Sequence, residues 1–207
     1  MTLDAVGSVV VGVLSDTHIP YRMKQLPPRV LDAFEGVDVI LHAGDVDKPW
    51  ALAPLRRIAP VYAVRGNFHV LDLSSGGASL PAVVELQLAG HRVVLSHGYV
   101  PGLAALWLKG RDLALRLLGA SDKARFNERI GRRLSALHAG ADVIVFGHTH
   151  RAYVGWVGDT LLVNPGAVCP TLSEQPTVAR MRLDEGRPQV EIVPLCAVSG
   201  ASGNGPE

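Results

Sequence analysis

Five short apolar runs, each closing on a side chain that can ligate a metal, constrain this chain more than any other feature. The runs are 9–14 before Asp16 and His18, 37–41 before Asp45, 61–64 before Asn67, 93–95 before His97, and 143–146 before His148 and His150. A short apolar run closed by Gly, Asp or Asn is the pattern of a buried strand entering a loop. Ligands of open α/β sheets bind beyond the carboxyl ends of the strands. Five strands delivering carboxylate, amide and imidazole to one edge therefore predict a polynuclear metal site.

The order of elements narrows the architecture. In the first half strand and helix alternate: a Pro-started helix near 28–34 follows the first run, and Pro49 opens a second helix to about Arg57. Such strand–helix–strand spacing favours parallel pairing. From Pro81 onward the pattern is hairpins, with strand pairs at 83–88/92–95, 153–157/160–163 and 178–183/190–193. Parallel units followed by antiparallel hairpins predict an α/β fold of two stacked mixed sheets with helices outside. The chain is read as a single domain over 1–197, with a helical insertion at about 100–140 and a disordered Gly/Ser tail at 198–207. Within the insertion, Phe126, Ile130, Leu134 and Leu137 form a stripe of helical period, with Ser121 as its cap. Arg125, Arg129, Arg132 and Arg133 flank that stripe. They make either a solvated basic surface or, if the insertion overhangs the strand ends, a lid whose Arg125 and Arg129 bind substrate phosphate.

Composition excludes several classes. A net charge of +1 gives no global field to attract nucleic acid or anionic membrane, and the three tryptophans are too scattered to make a stacking platform. No apolar stretch approaches the roughly 20 residues that span a bilayer, and the first run leads into Asp16 as a strand would, unlike a signal peptide. Cys169 and Cys196 are the only cysteines, and both read as buried small apolar residues. A cytoplasmic location follows as the expectation. The leucine-rich stretch 103–118 either buries against the domain or forms a homo-oligomer contact.

Asp16-Thr17-His18 or Gly44-Asp45 alone would be a weak signal, and Gly147-His148-Thr149-His150 is a stronger one. Together with Gly66-Asn67 and His97-Gly98, in this order, they resemble the signature blocks of the calcineurin-like metallophosphoesterases, in particular their small bacterial and archaeal phosphodiesterase branch. The resemblance runs from about Val9 to Gly166, apart from the insertion, and Asn164-Pro165-Gly166 also looks like a family element. It implies an αββα sandwich with a dinuclear centre. One metal would take Asp16, His18, Asp45 and His150, and the other Asp45, Asn67, His97 and His148, with Asp45 bridging. Imidazoles move preference from Mg²⁺ or Ca²⁺ toward Mn²⁺, Fe, Ni²⁺ or Zn²⁺. The resemblance makes Mn²⁺ the first choice.

The activity implied is hydrolysis of a small phosphate ester by a metal-bridging hydroxide, with Asn67 both ligand and phosphate donor. A phosphodiesterase is favoured over a phosphomonoesterase or nucleotide phosphatase. One departure concerns the acid. Where the family usually has His or Cys after the Asn and then an acid, this chain has Phe68 and His69. Phe68 cannot carry a proton, so His69 is the candidate catalytic acid. Without an acid, substrates with good leaving groups would be favoured. A protein-binding scaffold is the rival, since a eukaryotic retromer subunit looks like the same fold. In such scaffolds the ligand positions are free to drift, whereas all seven here carry competent ligands. The metallo-β-lactamase class, with its His-x-His-x-Asp-His pattern, is not matched. His42 and Asp47 read as residues supporting the ligands, and Arg65 either orients substrate or forms an ion pair.

Overall fold

Strand residues alternate between two buried faces, and that alternation builds the layers. The structure, a computed structural model, describes residues 2–3, 7–66, 79–98, 123–172 and 174–196. Among these, one sheet runs β11 (Gln189–Pro194), β10 (Thr177–Leu183), β2 (Val9–Leu14), β3 (Val39–His42), β4 (Val61–Ala63). The other runs β1 (Thr2–Leu3), β5 (Val83–Leu88), β6 (His91–Ser96), β7 (Val143–Val145), β9 (Thr160–Pro165), β8 (Ala152–Val157). Both sheets are mixed. β2, β3 and β4 are parallel, as are β6, β7 and β9, while the hairpins β5–β6, β8–β9 and β10–β11 are antiparallel.

Val11, Val13, Val39 and Leu41 of the first sheet pack against Val93, Leu95, Val143, Val145, Leu161 and Val163 of the second. The residues between them point the other way, as a period of two requires. Ile40 and Val178 join Val30 and Phe34 of helix α1 (Pro28–Ala33). Val94, Ile144 and Leu162 join Ile130 and Leu134 of helix α2 (Lys123–Leu137). The result is the expected αββα sandwich, in which the central strands are apolar on both sides because both sides are covered.

Three local readings are corrected. The helix expected from Pro49 to Arg57 is instead two short 3₁₀ turns, Pro49–Leu52 and Leu55–Arg57. Pro54 lies between them and removes an N–H that a continuous α-helix would need. Leu137, assigned to the apolar stripe, is 65% exposed as the last residue of α2. Cys169 is buried as expected, but Cys196 is exposed. Ser121, residues 103–118 and the tail 198–207 lie outside the described residues.

Candidate metal centre

The candidate ligands leave the two sheets from parallel strand ends and meet between them. Asp16 and His18 follow β2, Asp45 follows β3, His97 follows β6, and His148 and His150 follow β7. Asp16, His18, Asp45 and His150 offer ligand atoms that all lie within 4.8 Å of one another. The Asp45 Oδ2 oxygen is shared: His18 Nε2 lies 3.3 Å from it and His97 Nε2 3.5 Å. His150 Nε2 is 3.1 Å from Asp16 Oδ1. The ring of His148 stands edge-on to that of His97, centroids 5.4 Å apart.

Loop backbone conformation makes this convergence. Among the described residues, seven other than glycine have positive φ, and six of them are Asp16, His18, Asp45, Asp47, His148 and His150. The seventh, Ala89, belongs to the two-residue turn Ala89-Gly90 between β5 and β6. A left-handed L-residue costs roughly 1–2 kcal/mol, and such strain gathers where surrounding contacts over-determine the backbone. Here those contacts are hydrogen bonds between the loops: Asp16 N–H to Gly44 O, His18 N–H to Asp45 O, and His148 N–H to Asp16 Oδ2. Two glycines are required by proximity. A Cβ on Gly44 would collide with the His97 ring, and one on Gly66 with the Asp45 carboxylate.

Behind the candidate ligand atoms lies a supporting set. His97 Nδ1 is 2.7 Å from Ala43 O, so Nδ1–H donates there and Nε2 is left to face Asp45. Asp47 is buried beside His18, its Oδ2 3.6 Å from His18 Nδ1. Buried His42 accepts from Gly44 N–H at Nδ1, which puts its proton on Nε2, 3.1 Å from Thr17 Oγ1. Cys169 Sγ lies 3.9 Å from His150 Nδ1.

Electrostatics separate the imidazoles. Burial would lower the His97 pKa, but the Asp45 carboxylate beside it prevails and raises it to about 9. Burial acts likewise on His150, and its pairing with Asp16 raises it to about 10. His148 is pushed down to about 4, first by burial and then by the charge of His97. His42 is also lowered to about 4, chiefly by burial. Burial alone would raise Asp16 and Asp45. Pairing with His150 outweighs it for Asp16, the charge of His97 outweighs it for Asp45, and both carboxyls are held below the ordinary range.

These residues fit a divalent cation. Asp16 Oδ1 and His97 Nε2 are buried without a hydrogen bond of normal geometry among the described residues, although each has a group of opposite charge within 3.5 Å. They are close to their neighbours but out of line with them, as donors aimed at a common ion would be. Carboxylate and imidazole without thiolate suit Mn²⁺, Fe, Ni²⁺ or Zn²⁺.

Of the other residues singled out in the sequence, Asn67 and His69 lie outside what the structure describes in full: Asn67 and His69 are beyond the described residues, and the side chain of Arg125 is too. Arg129 and Arg65 are exposed. Sequence reasoning missed Asn127, Ser15 and the contact of Cys169 with His150, and noted Asn164 without a role. Ser15 Oγ contacts both Asp16 Oδ2 and Gly166 O. Among the described residues no helix is long and apolar enough to cross a membrane.

Comparison with known proteins agrees with this fold. The chain is 34% identical over 192 residues to a probable metallophosphoesterase of Methanothermobacter thermautotrophicus, covering 91% of this chain and 96% of the relative. Its fold is similar to that of Vacuolar Protein Sorting 29 from Cryptosporidium parvum, with a TM-score of 0.60 at 22% identity, covering 90% and 97% of the two chains. It is similar also to an archaeal phosphodiesterase, with a TM-score of 0.57 at 19% identity, covering 90% and 99%. The model of the calcineurin-like phosphoesterase superfamily domain matches residues 9–186, most of the chain, and this chain therefore belongs to the calcineurin-like phosphoesterases.

Proposed function

We propose that the protein is a dinuclear-metal phosphodiesterase acting on a small phosphodiester, with Mn²⁺ as its first-choice metal. The observation that carries this reading is the position of Asp45. One buried carboxylate oxygen faces an imidazole from each side, His18 at 3.3 Å and His97 at 3.5 Å. In this reading Asp16, His18, Asp45 and His150 hold one ion, and Asp45, Asn67, His97 and His148 hold the other. Two dications so held would supply Lewis-acid polarisation of the phosphoryl oxygens and a nucleophile at neutral pH.

The chain's own residues do the rest. Asp16 and Asp45 provide the negative charge that makes paired dications tolerable, and both stay ionised because imidazoles surround them. The hydrogen bond to Ala43 O fixes His97 in the tautomer that offers Nε2. Asn67 donates to the phosphate, and His69 protonates the leaving group.

The fold does not choose between enzyme and scaffold, because a phosphodiesterase and a vacuolar sorting protein both share it. The side chains favour a retained metal site, which hydrolysis requires: a buried cluster of carboxylates and imidazoles is costly to keep unless it binds something. The preference for a diester rests on the resemblance. A phosphomonoesterase would need a further cation for the second negative charge, and Arg125 and Arg129 on α2 are the candidates for that contact.

Purified protein loaded with Mn²⁺ and offered nitrophenyl mono- and diesters tests the reading. About two ions per chain and faster diester turnover are expected. A protein that binds metal but turns over neither ester contradicts hydrolase function, and monoester preference would transfer the assignment to a phosphatase.

A further inference from the structure

His148 and His150 lie on a loop whose neighbouring residues are gripped by two buried asparagines from different elements. Asn164, at the end of β9, donates from Nδ2 to Gly147 O at 2.9 Å and toward Thr149 Oγ1 at 3.0 Å. These two residues stand on either side of His148. Asn127, on α2, donates from Nδ2 to Arg151 O at 3.3 Å and accepts at Oδ1 from Thr149 Oγ1 at 2.7 Å. These stand on either side of His150. The two amides also meet, Asn164 Nδ2 lying 3.3 Å from Asn127 Oδ1, and Asn164 Oδ1 accepts from Gly166 N–H at 2.9 Å. Both side chains are almost fully buried: Asn127 is 1% exposed and Asn164 0%.

The chemistry of this arrangement is selective. The loop holds two left-handed residues, His148 (φ 73°) and His150 (φ 59°), which local sequence does not favour. Its exit at Arg151 is fixed by an amide carried on a helix that reaches the sheet through Ile130 and Leu134. Loss of one amide removes the shorter hydrogen bonds of its buried partners and frees the loop to turn.

We infer that Asn127 and Asn164 are positioning residues with divided duties: Asn127 sets the angle of His150 and so the ion shared with Asp16, His18 and Asp45, while Asn164 sets His148 and the second ion. This rests on the dinuclear reading above. It makes the inserted helix part of the metal centre's frame although no ligand is assigned to that helix.

Mn²⁺ titration of the intact protein, followed by calorimetry and by the spin-coupled signal of paired Mn²⁺, tests the division. Wild type should take two ions. N127L should weaken one by about 10–100-fold and leave the other near wild type, with loss of the coupled signal at stoichiometric metal. N127D keeps an acceptor for Thr149 and the side-chain volume, so it provides the reading if N127L does not fold; it should weaken the same ion less, by about 3–10-fold. R133A, exposed on the same helix, should match wild type. Two ions bound by N127L with wild-type affinities, equal loss of both, or the same loss in R133A would overturn the divided role. A wild-type protein that binds fewer than two ions would instead sink the dinuclear reading, and the inference with it.

Discussion

The two sheets make unequal contributions to the site, and the inequality is chemical. The sheet of β2 and β3 supplies both carboxylates of the cluster, Asp16 and Asp45, while the sheet of β6 and β7 supplies three of its four imidazoles, His97, His148 and His150. Negative charge thus lies on one layer and proton-labile nitrogen on the other. At the rim, acid–imidazole pairs join the layers, His150 with Asp16 and His97 with Asp45. The interior joins the same layers through apolar side chains, chiefly valine and leucine. One seam is titratable, and the other is not.

Removing the shared carboxylate is the strongest way to break this comparison. Asp45→Ala should lower turnover at least about 10³-fold, since several kcal/mol of charge stabilisation leave with the metals. Metal content and ester hydrolysis, assayed together, check it; a variant with wild-type values for both would show that the layers do not meet at a metal. A smaller effect is expected behind the ligands. Asp47→Asn weakens the carboxylate that faces His18 Nδ1, and metal affinity should fall about 10–100-fold with the fold retained. Unchanged affinity would make Asp47 a bystander.

The pH response sharpens the comparison without a mutation. His97 and His150 have pKa values raised above the ordinary 6.5, to about 9 and 10. Their stabilisation of the chelated protein is full below pH 6.5 and is lost as pH rises through those values. His42 and His148 are lowered to about 4, so the unfolded chain takes up their protons first as pH falls from 6.5. Stability then falls on the acid side too, and Asp16 and Asp45 extend that loss below 3.8. The chelated protein should therefore melt highest near pH 6.5. Metal loading should flatten the alkaline limb, because ligating imidazoles are already neutral. Thermal melts with chelator and with Mn²⁺ read this directly, and an alkaline limb that metal does not change would count against His97 and His150 as ligands.

How far these features are legible in sequence follows from the range of the interactions. The sheets can be read because Val39-Ile40-Leu41 and Val143-Ile144-Val145 are apolar on both faces, a local signal. The helix after Pro49 is misread when a proline that starts one turn is weighed without Pro54, which stops it. The ligand types stand out because His148-Thr149-His150 has few other uses at a strand end, and because Asp16-Thr17-His18, weak alone, is one of five such endings in order. Left-handed backbone at Asp16 and His18 has no signal, as neither is glycine. Asn127 is invisible for a different reason. Its partners are Thr149 and Arg151, 22 and 24 residues away, and a buried amide announces nothing about which carbonyl it will meet.

The bond from His97 Nδ1 to the Ala43 carbonyl runs from one layer to the other beneath the cluster. Apolar contacts between layers are non-directional and tolerate a small lateral slip, whereas a 2.7 Å bond between an imidazole and a main-chain oxygen does not. The spacing of the sandwich next to Asp45 is thereby gauged by a directional bond. Val93 and Val145 fill the interior that sets this spacing. Enlarging either one would wedge the layers apart and turn His97 away from its carboxylate with no ligand touched. The apolar interior acts as the tuning screw of the polar rim.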